Sequence, residues 1–247
     1  MFRHSGKTRT LSHNKKIASL LSFVAGLVNV AGFISVQRLT TNVTGHFAFF
    51  VDEVFKLQFA ESIVYFFFIF FFFSGAFVSS LLVETMMRRN DRFIYIIPGI
   101  LESAILLMLA VFGHKLMVNN ANFIACSLLF AMGLQNSLVT RISDAMVRTT
   151  HLTGLFTDLG IELSQLFFYK KKEQRERLIS TIRLRWRIIL FFFLGGIAGG
   201  ILYTYLGFYS LSIPAMILLM GLYYDGVKHK LIKWKRRHDT KEKNMIN

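Results

Sequence analysis

The chain has 247 residues, of which 53% are hydrophobic and 27 are phenylalanine, yet it carries 29 Lys and Arg against 14 Asp and Glu, a formal charge of +15. A soluble domain of this size needs a more polar surface, and a disordered or nucleic-acid-binding basic chain does not contain the uninterrupted apolar run 66–73. Runs this long and this apolar need lipid as their solvent, so the composition indicates a polytopic membrane protein.

Six stretches are long and apolar enough to form transmembrane helices. They are Ile17–Gln37, Ser62–Val83, Phe93–Gly113, Ala121–Thr140, Ile188–Gly207 and Tyr209–Tyr224. Basic residues before the first stretch resemble the start of a signal peptide, but the stretch is too long and has no A-x-A cleavage pattern, so we expect a retained helix. The expected organisation is a basic segment at 1–16, membrane units at 17–113 and 121–224, and a basic tail at 225–247.

Two further segments, Thr44–Leu57 and Thr153–Tyr169, are apolar but short and carry charged residues. A helix of about 14 residues measures about 21 Å, which is less than the ~30 Å hydrocarbon core. If neither segment crosses the membrane, nearly all Lys and Arg lie on the cytoplasmic side, and this asymmetry is weaker if both cross. The sequence therefore favours six spans with both termini in the cytoplasm, and it predicts that the short segments are re-entrant or broken helices.

The chain also contains an internal repeat, because residues 40–45 and residues 149–154 both read TTxxTG. Matching residues surround both copies in the same order, in the pairs Gly26 and Gly133, Asn29 and Asn136, Phe47 and Phe156, and Glu53 and Glu162. Small residues also correspond, at 74–75 in the second span and at 195–196 in the fifth. Ordered identities on both sides of the motif favour duplication over chance.

Each copy of the repeat holds three spans and one short segment, and an odd number of crossings inserts the second copy upside down. The predicted fold is an all-α membrane protein of about six transmembrane helices in two inverted repeats of three, each with a short re-entrant or broken helix that carries TTxxTG. Inverted repeats with interrupted helices are typical of transporters, whose binding site lies near the midplane where the repeats meet.

The TTxxTG pattern is typical of a helix start, since threonine hydroxyls can cap free N–H groups and glycine allows a close backbone approach. Two such helix starts facing a central cavity would suit a polar or anionic group. The plainer alternative is that the threonines only cap, the glycines only pack, and the amides in the spans only form interhelical hydrogen bonds. The candidate substrate-binding residues are Asn29, Thr41, Thr44, Gly45, Gln135, Asn136, Thr150, Thr153 and Gly154.

Four carboxylates within or beside apolar segments are candidates for proton or ion coupling: Glu53, Glu102, Asp158 and Glu162. An acid inside a membrane span is a functional hypothesis by default. Asp158 and Glu162 are one helical turn apart and so share a face of the second short segment. The alternative for Glu102 is a protonated carboxyl that serves only as a hydrogen-bonding group.

The sequence predicts no cofactor, no metal and no enzymatic activity. The single cysteine, Cys126, cannot build a metal cluster or an intrachain disulfide, and the seven histidines show no i,i+4 ligand pair. The basic stretches 170–187 and 228–243 predict contact with anionic lipid headgroups, the first as an amphipathic helix lying in the membrane plane. This explanation is sufficient for their charge, so we do not expect nucleic acid as a partner.

Residues 131–137 (AMGLQNS) and 149–154 (TTHLTG) resemble the second half of the bacterial YoaK family (domain of unknown function 1275). The stretch 25–45 is similar to the first half of that family, and the resemblance extends over about residues 15–225. It implies a bacterial inner-membrane protein with about six spans and carries no settled biochemical activity.

This chain departs from the pattern of that family at three positions. His46 and Leu155 stand where members often have asparagine after the TG pair, and Asn29 stands where an aspartate is common. If that aspartate carries function in the family, the resemblance implies altered coupling in this chain.

Together these patterns favour a secondary transporter for a small molecule, an exporter or a proton-coupled carrier. The alternatives are a channel whose pore is lined by the paired re-entrant segments, and a membrane scaffold that does not transport. The sequence leaves the substrate, the direction of transport and the oligomeric state open.

Overall fold

The computed structural model describes residues 11–88, 95–143 and 147–224, and within these ranges the chain consists of helices and short connections. The helices are α1 (Leu11–Val36), α2 (Val43–Phe55), α3 (Phe59–Arg88), α4 (Ile96–Ser143), α5 (Leu152–Phe168), α6 (Lys172–Leu206) and α7 (212–224), with a 3-10 turn at Gly207–Leu211 before α7. Helix α4 is interrupted at Asn120, whose φ of −142° and ψ of 45° are not helical. Its two arms are named α4a (96–118) and α4b (120–143).

Five helical stretches are long and apolar enough to cross a membrane. They are Lys15–Val36, Phe59–Arg88, Ile96–Val118, Asn120–Ser143 and Lys172–Tyr224. The last stretch contains α6, the 3-10 turn and α7, where the sequence predicts two separate spans. The short helices α2 and α5 are not among the five. The chain therefore has the helical architecture and the apolar segments of a multi-pass membrane protein.

Glycine residues bring two pairs of helices into direct backbone contact. A Cβ atom at Gly26 or Gly195 would lie 2.0 and 2.1 Å from the carbonyl oxygens of Phe192 and Phe23, respectively, so α1 packs against α6 without intervening side chains. Helices α3 and α4b pack in the same way, because a Cβ atom at Gly75 would lie 2.1 Å from the carbonyl oxygen of Phe130. Small residues at such contacts allow membrane helices to approach closely.

The order of these contacts along the chain shows whether two packed helices run parallel or antiparallel. Gly199 lies on Leu27, one turn beyond the contact of Gly195 with Phe23, so α1 and α6 run parallel. By the same reasoning α3 and α4b run parallel, because Gly133 lies on Phe72 and, further along both helices, Arg141 of α4b bonds to Glu84 of α3.

Helix α1 runs antiparallel to α4b and hence to α3. Gln135 bonds to the carbonyl of Leu21, and Gly32 lies on Leu128. The chain therefore enters and leaves α2 at the same end of the bundle. Helix α7 is antiparallel to α4a in turn, since Phe208 contacts Gly113 and Leu222 contacts Gly99.

The basic stretch 170–187 differs from the separate in-plane helix that its pattern predicts. It forms the amino-terminal part of α6, which continues without a break from Lys172 to Leu206. Ile182 and Leu184 of this part are buried in the protein, because one face of the amphipathic pattern packs on α5 and the rest of the bundle. The predicted basic tail 225–247 and residues 1–10 lie outside the described residues.

Candidate functional site

A cavity of about 870 Å³ lies between the amino-terminal ends of α2 and α5. Thr41 and Thr44 of the first TTxxTG segment and Thr150 and Thr153 of the second all line it. Its volume is within the usual range of small-molecule binding sites. Two segments that are far apart in the chain but alike in sequence thus meet at one polar cavity.

The two asparagines in the spans bond to matching threonines of the two motifs, with opposite donor directions. Thr41 Oγ1 donates a hydrogen bond to Oδ1 of Asn29, at 2.7 Å. Asn136 Nδ2 donates to Oγ1 of Thr150, the matching threonine of the second motif, at 2.5 Å. Both asparagines also line the cavity. Each motif is therefore tied to the span that precedes it, through its second threonine.

The short helices begin differently from the expectation that threonine hydroxyls cap them. Helix α2 is capped by Asn42, whose side-chain oxygen accepts from the backbone N–H of Gly45 at 3.0 Å. His151 occupies the matching position before α5 and makes no side-chain cap. The capping role of Asn42 was detectable in the sequence, because asparagine directly before a short apolar segment is a strong N-cap signal.

At the glycine of each TG pair a larger residue would collide with a nearby side chain. A Cβ atom at Gly154 would lie 2.3 Å from the ring of His151, and one at Gly45 would lie 2.7 Å from the side chain of Leu39. Gly45 lines the cavity, whereas Gly154 faces a smaller neighbouring cavity of about 300 Å³.

Arg148 is a cavity residue that sequence reasoning missed. It directly precedes the second motif, lines the main cavity and also lines the smaller one. The matching position before the first motif is Leu39, which lines the main cavity as well. The signal that could have revealed Arg148 is this difference between two otherwise similar copies.

The predicted coupling acids of α2 and α5 lie near basic side chains, and Asp158 lines the smaller cavity beside Arg148 and Gly154. Asp158 and Glu162 of α5 form ion pairs with Arg185 of α6, at 3.1 Å for Asp158. Glu53 lies 3.8 Å from Lys56 on α2 and has one buried oxygen without a hydrogen-bond partner among the described residues. None of these acids is among the residues that line the 870 Å³ cavity.

Glu102 is fully buried within α4a and is also absent from the cavity lining. Neither of its carboxylate oxygens has a hydrogen-bond partner among the described residues. Removing an unpaired carboxylate from water costs several kcal/mol, so these surroundings favour the neutral acid. Gln135 points elsewhere too, donating to the carbonyl of Leu21 at 2.7 Å.

The structure thus brings together most of the predicted substrate-binding residues at the main cavity, while of the predicted coupling acids only Asp158 lines a cavity, the smaller one, beside Gly154. Among the described residues, no group of three or more His, Cys, Asp or Glu side chains could hold a metal ion. The cavity lining offers threonine hydroxyls, asparagine amides, two helix amino termini, the imidazole of His151 and the guanidinium group of Arg148.

The chain matches the model of a known protein family over most of its length. The family described as "Protein of unknown function (DUF1275)" matches residues 17–224, which include both TTxxTG segments and every helix from α2 to α7. No curated protein and no solved structure matches the chain.

Proposed function

Because the chain belongs to DUF1275, a family whose description assigns no function, we propose a function from its own geometry: a secondary transporter that binds a small polar molecule between α2 and α5. The observation that carries this proposal is the meeting of both TTxxTG segments at one cavity of about 870 Å³. In this proposal the protein moves its substrate across the bilayer and changes no covalent bond.

The proposed architecture is two inverted repeats of three spans, with α7 as the sixth span and with α2 and α5 as re-entrant helices. The paired contacts support it, since Gly26 meets Phe192 as Gly133 meets Phe72. The hydrogen bonds Asn29–Thr41 and Asn136–Thr150 add a second matched pair. Inverted repeats of this kind place a substrate site at the repeat interface and expose it alternately to the two sides.

The proposed location is the bacterial inner membrane with both termini in the cytoplasm. In a six-span arrangement the amino-terminal part of α6 and the tail 225–247 lie on the cytoplasmic side, where an excess of Lys and Arg is usual. Anionic headgroups are the proposed partners of these basic segments.

The proposed binding groups are the hydroxyls and amides of the cavity, and coupling to protons or ions is assigned to acids outside it. Glu53, Asp158 and Glu162 lie on the two short helices, so a change in their charge would move the helices that hold the motifs. Glu102 is the candidate for a proton that is carried in neutral form. Replacing it as Glu102→Gln keeps the shape of the neutral acid and abolishes proton exchange.

The test is transport by the purified protein in proteoliposomes. Vesicles are incubated with a mixture of small polar metabolites, with and without a pH gradient, and their contents are measured by mass spectrometry. We expect at least one compound to accumulate above protein-free vesicles, and Thr41→Val and Thr150→Val to reduce its transfer. Ser127→Ala is the matched control, because this hydroxyl bonds within its own helix outside the cavity.

Two results would contradict the proposal: no compound exceeding protein-free vesicles, or transfer that is unchanged in Thr41→Val and Thr150→Val. Loss of gradient-driven accumulation in Glu102→Gln, with exchange retained, would assign the proton to Glu102.

A channel is the second proposed candidate, because Arg148 and His151 line both the main cavity and the smaller one, which therefore lie side by side. A pore would show flux that rises linearly with concentration, whereas a carrier saturates. A scaffold would show neither.

A further inference from the structure

We propose that the substrate carries an anionic group and that Arg148 is the residue that selects it. This inference rests on the proposed binding function of the cavity and names the chemical class of its ligand. The class is a small organic anion, with a carboxylate or a phosphate at one end.

The charges around the cavity favour an anion. Arg148 is the one formally charged side chain among its lining residues, and no carboxylate is among them. Within the described part of the chain, the acids of α5 are paired with Arg185, and Asp52 of α2 is paired with Lys56 at 2.5 Å. Among the described acids, Asp158 lines the smaller cavity beside Arg148 but is paired with Arg185, and none lines the main cavity, so Arg148 supplies the formal charge of the described lining.

The backbone adds to this positive charge. Helix α2 begins at Val43 and helix α5 at Leu152, and both of these residues line the cavity. Each helix amino terminus carries partial positive charge from N–H groups that have no partner within the helix. The first turn of α5 lacks the side-chain cap that Asn42 supplies to α2, so its N–H groups remain for a ligand beside Arg148.

The two ends of the cavity differ in a way that orients the ligand. Arg148 and Leu39 occupy matching positions before the two motifs, and both line the cavity. Leu39 gives the α2 side an apolar residue where the α5 side offers the guanidinium and uncapped N–H groups, and the matching rings Phe72 and Phe192 add apolar lining residues. An organic anion with an uncharged body satisfies both sides, whereas an inorganic anion would leave the apolar side unfilled.

The first experiment measures the field without any ligand. In a Cys126→Ser background, Thr44→Cys or Thr153→Cys places one thiol on each side of the cavity. The rate of modification is measured with an anionic and a cationic methanethiosulfonate reagent, relative to mercaptoethanol in solution. We expect the anionic reagent to be favoured about tenfold or more, because a focused potential concentrates ions of opposite charge. Arg148→Gln should remove most of this preference.

The matched control is Arg141→Gln, which removes an arginine that pairs with Glu84 of α3 and does not line the cavity. It should leave the preference unchanged. Equal reactivity toward the two reagents, or a preference for the cationic one, would overturn the inference. So would a preference that survives Arg148→Gln.

The second experiment tests whether binding of a small aromatic compound requires a negative charge. The thermal transition of the detergent-solubilised protein is measured with benzoate, with benzamide and with phenyl phosphate at constant ionic strength. We expect benzoate or phenyl phosphate to raise the midpoint in wild type and not in Arg148→Gln, and the stronger of the two identifies the anionic group. If benzamide stabilises the protein as much as both anions do, the result counts against an anion site. The same holds if none of the three compounds stabilises it.

The outcomes separate this inference from the proposed function. Saturable transport of a neutral or cationic compound would support a carrier and overturn the anion class. Arg148-dependent binding of an anion, without transport of any compound, would support the anion site and overturn the carrier.

Discussion

The two short helices carry the same motif but are attached to their neighbours by different forces. Helix α2 packs on α3 through rings: His46 lies 5.1 Å from Phe68, and Phe49 stacks on Tyr65 at 5.3 Å. Helix α5 is attached to α6 by the ion pairs of Arg185 with Asp158 and Glu162. Aromatic packing between uncharged rings is not screened by salt, whereas an ion pair is weakened by salt and by neutralisation of either partner.

His46 completes the attachment of α2. Its Nε2 donates to the carbonyl oxygen of Leu39 at 2.5 Å, which joins the helix to the start of the motif. Burial lowers the pKa of His46 below its ordinary value, so the ring stays neutral at physiological pH. Leu155 has the matching position in α5 and forms no such bond. The comparison therefore predicts that a change in salt or pH affects the attachment of α5 more than that of α2.

The largest effect is expected from the aromatic attachment. Phe68→Ala removes a ring that is fully buried beside His46 and Tyr65, and it should lower the free energy of unfolding by about 3–5 kcal/mol. Chemical denaturation in mixed micelles measures this change. Phe73→Ala is the control, since its ring is 63% exposed on the same helix. An equal loss in both variants would mean that the ring cluster does not fix α2.

The ionic attachment should respond nearly as strongly to a single change. Arg185→Gln leaves Glu162, whose side chain is 13% exposed, without its cation, and should cost about 3 kcal/mol of unfolding free energy. Adding Glu162→Gln and Asp158→Asn should recover most of the loss, because no unpaired charge then remains. Lys56→Gln breaks an exposed pair on α2 and should cost less than about 1 kcal/mol. Failure of the added changes to restore stability would show that Arg185 acts through packing alone.

A smaller effect is expected from salt. Raising the ionic strength from about 0.1 M to about 1 M shortens the Debye length from about 10 Å to about 3 Å and should loosen α5 while leaving α2 unchanged. Spin labels at Gly160→Cys and Val51→Cys report on the two helices at matching positions, and both sites have free space, since a Cβ at Gly160 meets no atom within 4 Å and Val51 is 60% exposed. Equal broadening or narrowing of both spectra would contradict the predicted difference between α2 and α5.

The smallest effect concerns the caps. Asn42→Ala removes the side-chain acceptor for Gly45 N–H and should cost about 1 kcal/mol, while His151→Ala should cost little because His151 makes no cap. Thermal unfolding of the two variants measures the difference. A larger loss in His151→Ala would indicate that its contact with Gly154 holds the start of α5.

Composition and periodicity were sufficient to predict an all-helical membrane protein, because twenty apolar residues have few other stable states. The repeat also predicted which side chains stand beside the two motifs, since Asn29 and Asn136 keep a similar distance from them along the chain. The partner of Asp158 and Glu162 was not predictable. Arg185 belongs to a basic stretch of α6. Which of its side chains face α5 depends on how α6 is rotated in the bundle, and a single sequence does not reveal that rotation.

Arg148 escaped prediction for a related reason. A charge in a connection between helices is usually solvated, and Arg148 is itself exposed, so only the path of the chain shows that it also lines the cavity. The sequence could not show how the acids lie relative to the motifs: Asp158 lines the smaller cavity, whereas Glu53, Glu102 and Glu162 line neither cavity.

Phe72 and Phe192 connect the walls of the cavity to the glycine contacts. Each ring lines the cavity, while the carbonyl of the same residue lies against Gly133 or Gly26. The width of the cavity is thus set by bare backbone, where even one added methyl group would displace a wall. Related chains can therefore differ in ligand preference through residues such as Leu39 and Arg148. A change in the width of the cavity, in contrast, requires the helices themselves to move apart.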